Sequence, residues 1–172
     1  NLFASDRALV EAVEREGAGW AREELGSLGA ELSSMEWLEH GRLANESPPI
    51  LRAFDRYGHR INEVEYHPSY HALMGCSMRH GLHARPWTDS RTGAWVARAA
   101  GTYLMTQVEA GHGCPITMTF AAVPTLRHQP EIAAEWIPRI TASSYDPRNI
   151  PASKKRSCTI GMAMTEKQGG SD

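Results

Sequence analysis

Apolar residues recur along most of the chain at the spacing of helices that bury one face. Between Leu25 and Met35 the step is three or four residues, while the glutamates fall on the other side. This pattern predicts a helical stretch that runs on to Leu43 and stops before Pro48. The same spacing predicts further helices that contain Leu9–Val13, Tyr70–Met78, Trp95–Val108 (capped by Thr88 or Ser90), Ile116–Ala122 and Ile132–Ile137.

Two short segments follow the two-residue period of β-strands instead. The tetrapeptide Asp55–Gly58 has the composition of a tight turn, and apolar residues alternate with polar ones on both sides of it. A small β-hairpin is therefore predicted between residues 51 and 66. Near the end of the chain, Cys158, Ile160 and Met162 alternate with smaller residues, which predicts a strand that enters a glycine-rich loop.

Composition places the chain among ordinary globular proteins. Its 172 residues correspond to about one domain, with 41% hydrophobic and 22% charged residues. Lys and Arg number 18 against 20 Asp and Glu, a net charge of −2, which argues against a dominant surface for nucleic acid or anionic lipid. The uncharged stretch between Glu109 and Arg127 is too short, and too interrupted by proline, for a membrane span.

The cysteines and the chain ends indicate a compartment and a fragment. Cys76, Cys114 and Cys158 are an odd number of widely separated cysteines, which is typical of reduced, mostly buried thiols in a cytoplasmic protein. The first residues have no secretory leader pattern. Because the chain begins at Asn1 and stops within a glycine-rich loop, we expect it to be part of a longer protein.

The chain ends on its most distinctive motif, Met-Ala-Met-Thr-Glu-Lys-Gln-Gly-Gly-Ser-Asp at positions 162–172. Glycines let backbone N–H groups approach a phosphate, and flanking hydroxyls add donors. The spacing is neither that of the dinucleotide fingerprint nor that of the P-loop. From spacing alone, an ordinary glycine-rich turn is an equally good interpretation.

This motif resembles the flavin-binding loop of acyl-CoA dehydrogenases, with Lys167, Gln168 and Gly169 where that family usually has Pro, a variable residue and Ala. The variant is similar to the AidB branch, homologues linked to the adaptive response to DNA alkylation. The resemblance covers nearly the whole chain. The other stretches that resemble this branch are Glu16–Trp20, Gly41–Asn45, Tyr66–Pro68 with His71, Val96–Ala100 and Cys114–Thr119.

The resemblance implies a fold class and a cofactor. The fold would be all-α: an N-terminal helical bundle at residues 1–156 with a small hairpin, followed at 157–172 by the first strand of a middle β-domain. FAD would be the cofactor. Its ring and pyrophosphate would be contacted by Met162, Ala163, Met164, Thr165, Gly169, Gly170 and Ser171.

The resemblance also implies an activity for the full-length protein. That protein would oxidise the Cα–Cβ bond of an acyl-CoA similar to isovaleryl-CoA, as a cytoplasmic homo-oligomer, by family analogy a tetramer. The catalytic glutamate of the family belongs to a C-terminal domain, so no catalytic residue is assigned here, and Lys167 in place of proline puts efficient turnover in question. The alternative is a protein of the DNA-alkylation response that binds DNA through its C-terminal part and uses the flavin structurally.

Other candidate residues favour plainer interpretations. His67 and His71 are four residues apart and could share a zinc ion, but no third ligand follows at a suitable spacing, so no metal is expected. The basic run 154–156 is typical of a solvated surface. The helix from Cys114 to Thr125 is interpreted as bundle core rather than as an acyl-pocket wall. Three aromatic residues are likewise expected in the core: Trp95, Tyr103 and Trp136.

Overall fold

A computed structural model describes residues 1–163 and 167. In this part of the chain the fold is mostly helical and includes one β-hairpin, which confirms the predicted fold class. The helices are α1 (Leu2–Ser5), α2 (Arg7–Arg15), α3 (Arg22–Leu32), α4 (Met35–Glu46), α5 (Pro68–Arg79), α6 (Arg85–Thr88), α7 (Ala94–Thr106), α8 (Gly113–Leu126) and α9 (Pro130–Ile140). The strands are β1 (Ile50–Phe54) and β2 (Arg60–Glu65).

The main core lies between α3, α5 and α7. The periodic leucines of α3 are fully buried, as their spacing predicts, and meet Leu73 of α5 and Leu104 of α7. Small residues allow these helices to approach closely. On α7, a Cβ at Gly101 would lie 3.7 Å from the Leu28 side chain of α3 and 2.6 Å from the side chain of Leu82, which follows α5.

Two predicted helix boundaries differ in the structure. The long helical stretch is broken at Ser33 and Ser34. Ser34 caps the start of α4, because its hydroxyl accepts a hydrogen bond from the backbone N–H of Trp37. Thr88 and Ser90 do not cap α7, because the chain enters that helix through Gly93 in a left-handed conformation (φ +83°). A Cβ on Gly93 would also overlap the carbonyl of Gly17, so tertiary packing selects glycine there.

The predicted hairpin is present and is largely solvent-exposed. Its antiparallel register pairs Leu51 with Val64 and Arg52 with Glu63, and an irregularity lies between Arg52 and Phe54. Asp55 accepts backbone hydrogen bonds within the turn, which explains the turn sequence.

A smaller core lies between α8, α9 and the segment after the basic run. Val123, Ile140 and Cys158 are buried together. The strand predicted at 158–162 is not formed among the described residues: the segment has no neighbouring strand there, and it bonds to helices instead. A strand is defined by its pairing, and sequence alternation alone does not supply a partner.

The uncharged stretch between Glu109 and Arg127 forms α8, which has one buried face and one exposed face. Among the described residues, no helix has both the length and the apolar character needed to cross a bilayer. All three thiols are free. Cys76 and Cys158 are buried as expected, whereas Cys114 is exposed.

Candidate functional site

The base of the predicted flavin loop is fixed on α8 and α9. The backbone N–H of Cys158 donates to the Arg139 carbonyl at 3.1 Å, and the N–H of Ile160 donates to the Thr119 hydroxyl at 3.1 Å. Thr119 is fully buried within α8. A polar side chain buried in a helix face thus takes the place of a strand partner and holds this segment.

Beyond this anchor the chain turns outward at two of the predicted flavin contacts. Met162 and Ala163 are both exposed, and the Met162 side chain keeps 48% of its surface accessible. The Met162 N–H lies 3.4 Å from the sulfur of Met118. The remaining predicted contacts lie outside the described residues, so their role stays a prediction: Met164, Thr165, Gly169, Gly170 and Ser171.

A cleft of about 410 Å³ adjoins this anchored segment. The end of β2, helix α5 and residues 145–159 form its walls, and Cys158 and Thr159 line both the cleft and the base of the predicted loop. One segment therefore joins the two candidate regions.

Aromatic rings line one side of the cleft. Tyr66 and Tyr70 stack with centroids 4.2 Å apart, and the Nδ1 atom of His71 lies 2.8 Å from the Tyr145 hydroxyl. Burial raises the pKa of Tyr70 to about 12 and also raises the pKa of Tyr145, while burial lowers the pKa of His71. At neutral pH both phenols therefore stay protonated, and the lowered pKa favours a neutral His71.

Charged side chains form the other side. Asp146 and Arg148 make an ion pair at 2.6 Å, and Asp146 also accepts the backbone N–H of Arg156 at 3.0 Å. The Arg148 bond and then the Arg156 bond hold the pKa of Asp146 far below its usual range. Asp146 thus orders the 145–156 segment and keeps the half-exposed Arg148 side chain at the cleft, near Lys155.

The histidine pair considered for zinc is used differently. The Nδ1 atom of His67 accepts a hydrogen bond from the Ser69 N–H at the start of α5, and His71 bonds Tyr145. The structure therefore supports the hydrogen-bonded interpretation of both rings.

One face of α8 is core, as expected. Of the three aromatic residues assigned to the core, Trp136 is partly buried against the smaller core, and the other two are exposed. Trp95 is 56% exposed and Tyr103 is 51% exposed. Trp95 packs edge-on against Trp87 and Phe120 at the surface, and the Tyr103 hydroxyl donates to Asp6. In both cases the helical spacing places the ring at the margin of the buried stripe.

Sequence reasoning missed a buried polar chain of three residues. The Nδ1 atom of His112 lies 2.7 Å from a Glu109 carboxylate oxygen, and its Nε2 atom lies 2.8 Å from the Ser77 hydroxyl. This order of groups is also that of a hydrolase triad. All three side chains are buried, however, so no substrate reaches the serine. The hydrogen bonds instead connect α5 to the start of α8. In the sequence, the three-residue spacing of Glu109 and His112 is a local sign of their contact. Ser77 lies far away along the chain, so its bond to His112 leaves no sequence pattern.

Solved structures of longer proteins share this fold, among them the following two. The structure titled "Bd2924 apo-form" matches with a TM-score of 0.82 and 24% identity, over 99% of this chain and 33% of its own. ACDH-11 of Caenorhabditis elegans, solved in complex with C11-CoA, matches with a TM-score of 0.78 and 22% identity, over 98% of this chain and 28% of its own. The fold is therefore that of the corresponding part of an acyl-CoA dehydrogenase.

Sequence comparison gives the branch. Residues 1–147 match the family described as the adaptive response protein AidB N-terminal domain. The chain is 49% identical over 174 aligned positions to the Escherichia coli (strain K12) protein named "Putative acyl-CoA dehydrogenase AidB". This chain belongs to the AidB N-terminal domain family, and it spans 32% of the length of that relative.

Proposed function

We propose that this chain is the N-terminal region of an FAD-dependent acyl-CoA dehydrogenase homologue, and that residues 162–171 form part of its flavin site. The observation that carries the proposal is the anchored segment, which ends in an exposed methionine where the family motif begins. The similarity to AidB supports the same interpretation.

The described residues suit one rim of a flavin site. Met162 presents an apolar side chain that a planar ring system would cover, and Thr119 fixes the backbone two residues before it. When bound, FAD supplies the acceptor for the hydrogens removed from the acyl Cα–Cβ bond. The contribution of this chain is to hold the loop in place and to exclude water from one edge of the ring.

The proposal has consequences for the whole protein. The catalytic glutamate is expected in polypeptide outside this chain, and the full-length protein is proposed to be a cytoplasmic homotetramer. The acyl-CoA would be of the short, branched isovaleryl type.

Spectroscopy of the full-length protein tests the proposal. Purified protein is expected to show flavin absorbance that bleaches when isovaleryl-CoA is added without oxygen. A panel of acyl-CoA thioesters of other lengths serves as the comparison for chain specificity. Colourless protein that takes up no FAD would refute the proposal.

The family match favours a second candidate, because its description is that of an adaptive-response protein. In this alternative the full-length protein binds DNA through its C-terminal part and the flavin is structural. DNA binding that weakens steeply with salt, together with a flavin spectrum unchanged by every acyl-CoA, would select it. Bleaching without DNA binding would select the dehydrogenase.

A further inference from the structure

Three potential metal ligands meet away from the regions described above. Glu31 lies in the last turn of α3, and Cys76 and His80 lie at the end of α5. Their donor atoms are all within 4.8 Å of one another. A Glu31 carboxylate oxygen is 3.7 Å from the Cys76 sulfur, and the other oxygen is 3.3 Å from Nε2 of His80. These separations are close to those of ligands that share one ion at 2.0–2.3 Å.

The helices explain why the donors converge. Cys76 and His80 are four residues apart, so they lie one above the other on the same face of α5. This end of α5 meets the last turn of α3 at Glu31, which contacts both Cys76 and His80 and follows the buried Leu28 by three residues.

The burial of the three side chains leaves one side open. Cys76 is fully buried, whereas the side chains of His80 and Glu31 keep 13% and 28% of their surface exposed. An ion can therefore enter past Glu31 and His80 and keep a water molecule as a fourth ligand. Arg79 donates to Glu31 at 2.5 Å and would orient the carboxylate, as hydrogen-bond partners of ligands do in known sites.

We infer that Glu31, Cys76 and His80 form a binding site for a divalent ion of the zinc class. Thiolate, imidazole and carboxylate together favour zinc or cobalt over magnesium or calcium, which prefer oxygen ligands. Two anionic ligands balance the charge of the ion. Binding breaks the S–H bond of Cys76: the proton leaves to solvent, and the sulfur electron pair bonds the metal without any change of oxidation state.

The alternative is an ion-pair network that holds α3 against α5 without metal. In that network Cys76 stays a thiol, since burial and the nearby Glu31 charge raise its pKa to about 12. Burial would raise the pKa of Glu31 as well, but the bonds from Arg79 and His80 keep it below its ordinary value. The two states therefore differ in whether the Cys76 sulfur is a thiol or a metal-bound thiolate.

Cobalt titration of the full-length protein distinguishes the two states. One equivalent of Co²⁺ is expected to produce a near-ultraviolet thiolate-to-cobalt charge-transfer band, and zinc is expected to displace it. Cys76→Ser should abolish the band, and His80→Gln should weaken zinc binding by more than the ~10–100-fold typical of losing a ligand's hydrogen-bond partner. The matched controls are Cys114→Ser and His128→Gln, which change exposed residues elsewhere.

The cobalt band distinguishes a metal site from a metal-free ion-pair network. A band that is lost in Cys76→Ser and kept in Cys114→Ser supports the site, provided that circular dichroism shows a folded variant. His80 is not in the core, so its variant tests the same site if Cys76→Ser fails to fold. No band in the wild-type protein, or a band that survives both Cys76→Ser and His80→Gln, would overturn the inference. Neither readout depends on flavin or on acyl-CoA.

Discussion

At the residue scale, burial decides what a chemically suggestive arrangement does. Glu109, His112 and Ser77 have the hydrogen-bond order of a hydrolase triad, yet all three are enclosed. Burial lowers the pKa of His112, although the neighbouring Glu109 acts in the opposite direction. Burial alone would raise the pKa of Glu109, but the hydrogen bonds that its carboxylate accepts keep that pKa below its ordinary value. The three hydrogen-bonded side chains therefore stabilise the fold, and removing any one of them leaves a buried polar group without its partner.

Ser77→Ala tests this assignment. The variant leaves the buried Nε2 atom of His112 without its donor, so we expect the free energy of unfolding in urea to fall by about 1–3 kcal/mol. Ser27→Ala is the matched control, because Ser27 is exposed within helix α3. The control gains only helix propensity and should be unchanged or slightly more stable. Equal stability of the two variants would contradict the assignment.

A second residue-scale prediction concerns acid. His83 is fully buried with Nε2 on the Ala142 carbonyl, and burial lowers its pKa from 6.5 to about 4. The unfolded chain therefore binds a proton first, so stability is greatest above pH 6.5 and falls as the pH drops towards about 4. One such group contributes up to about 1.4 kcal/mol per pH unit in that window. Unfolding free energies measured across this window should fall less steeply in His83→Gln, and identical slopes would contradict the prediction.

At the element scale, close contacts between helices and backbone decide the packing. Gly41 of α4 is buried, and a Cβ there would overlap the carbonyl oxygen of Val108. We expect Gly41→Ala to lower the unfolding free energy by about 1–3 kcal/mol, because backbone must move. Gly26→Ala is the control: it lies in α3 with open space around it, and it should stabilise by up to about 1 kcal/mol. A thermal melt in which both variants gain stability would contradict this account.

The anchor of the proposed flavin loop gives a prediction for α8. Thr119→Val keeps the shape of the side chain but removes the acceptor of the Ile160 N–H. We expect amide exchange at Ile160 to accelerate about fivefold, from a loss of ~1 kcal/mol. Flavin retention by the full-length protein should also fall. Thr117→Val, on the exposed side of the same helix, should change neither quantity. Unaltered exchange in Thr119→Val would remove the anchor from the account.

The local elements could be predicted from the sequence, whereas their endpoints and partners could not. The period of α3 and the Asp55–Gly58 turn depend on neighbours in sequence, so the pattern contains them. The start of α7 at Gly93 depends on contact with Gly17, and the extended segment at 158–162 depends on Thr119. Long-range contacts of this kind leave no periodic signal.

The same limit applied to the sites. The spacing of His67 and His71 is that of a possible metal pair, yet each ring has its own hydrogen-bond partner. In the cluster of Glu31, Cys76 and His80, Glu31 lies more than forty positions before the other two residues. The four-residue spacing of Cys76 and His80 is therefore the one feature of this cluster that the sequence contains. Glu31 joins the other two residues only through the tertiary contact between α3 and the end of α5.

At the scale of the whole molecule, a helical scaffold carries the segment that we propose as one edge of a flavin site. The fold and the family are those of acyl-CoA dehydrogenases and their AidB branch. The near-neutral charge and the exposed hairpin say little about chemistry. The proposed function rests on the motif at positions 162–172 and on the Thr119 anchor beneath it.

The most direct test is the FAD affinity of the full-length protein and of its Gly170→Val variant, measured by fluorescence quenching on apoprotein. If the loop holds the cofactor, wild-type protein binds one FAD per chain and the variant binds at least about tenfold more weakly, since a side chain blocks backbone approach to the phosphates. Gly26→Val, at an open position of α3, should bind like wild type. Equal affinity of Gly170→Val and wild type would contradict a flavin-binding role for residues 162–171.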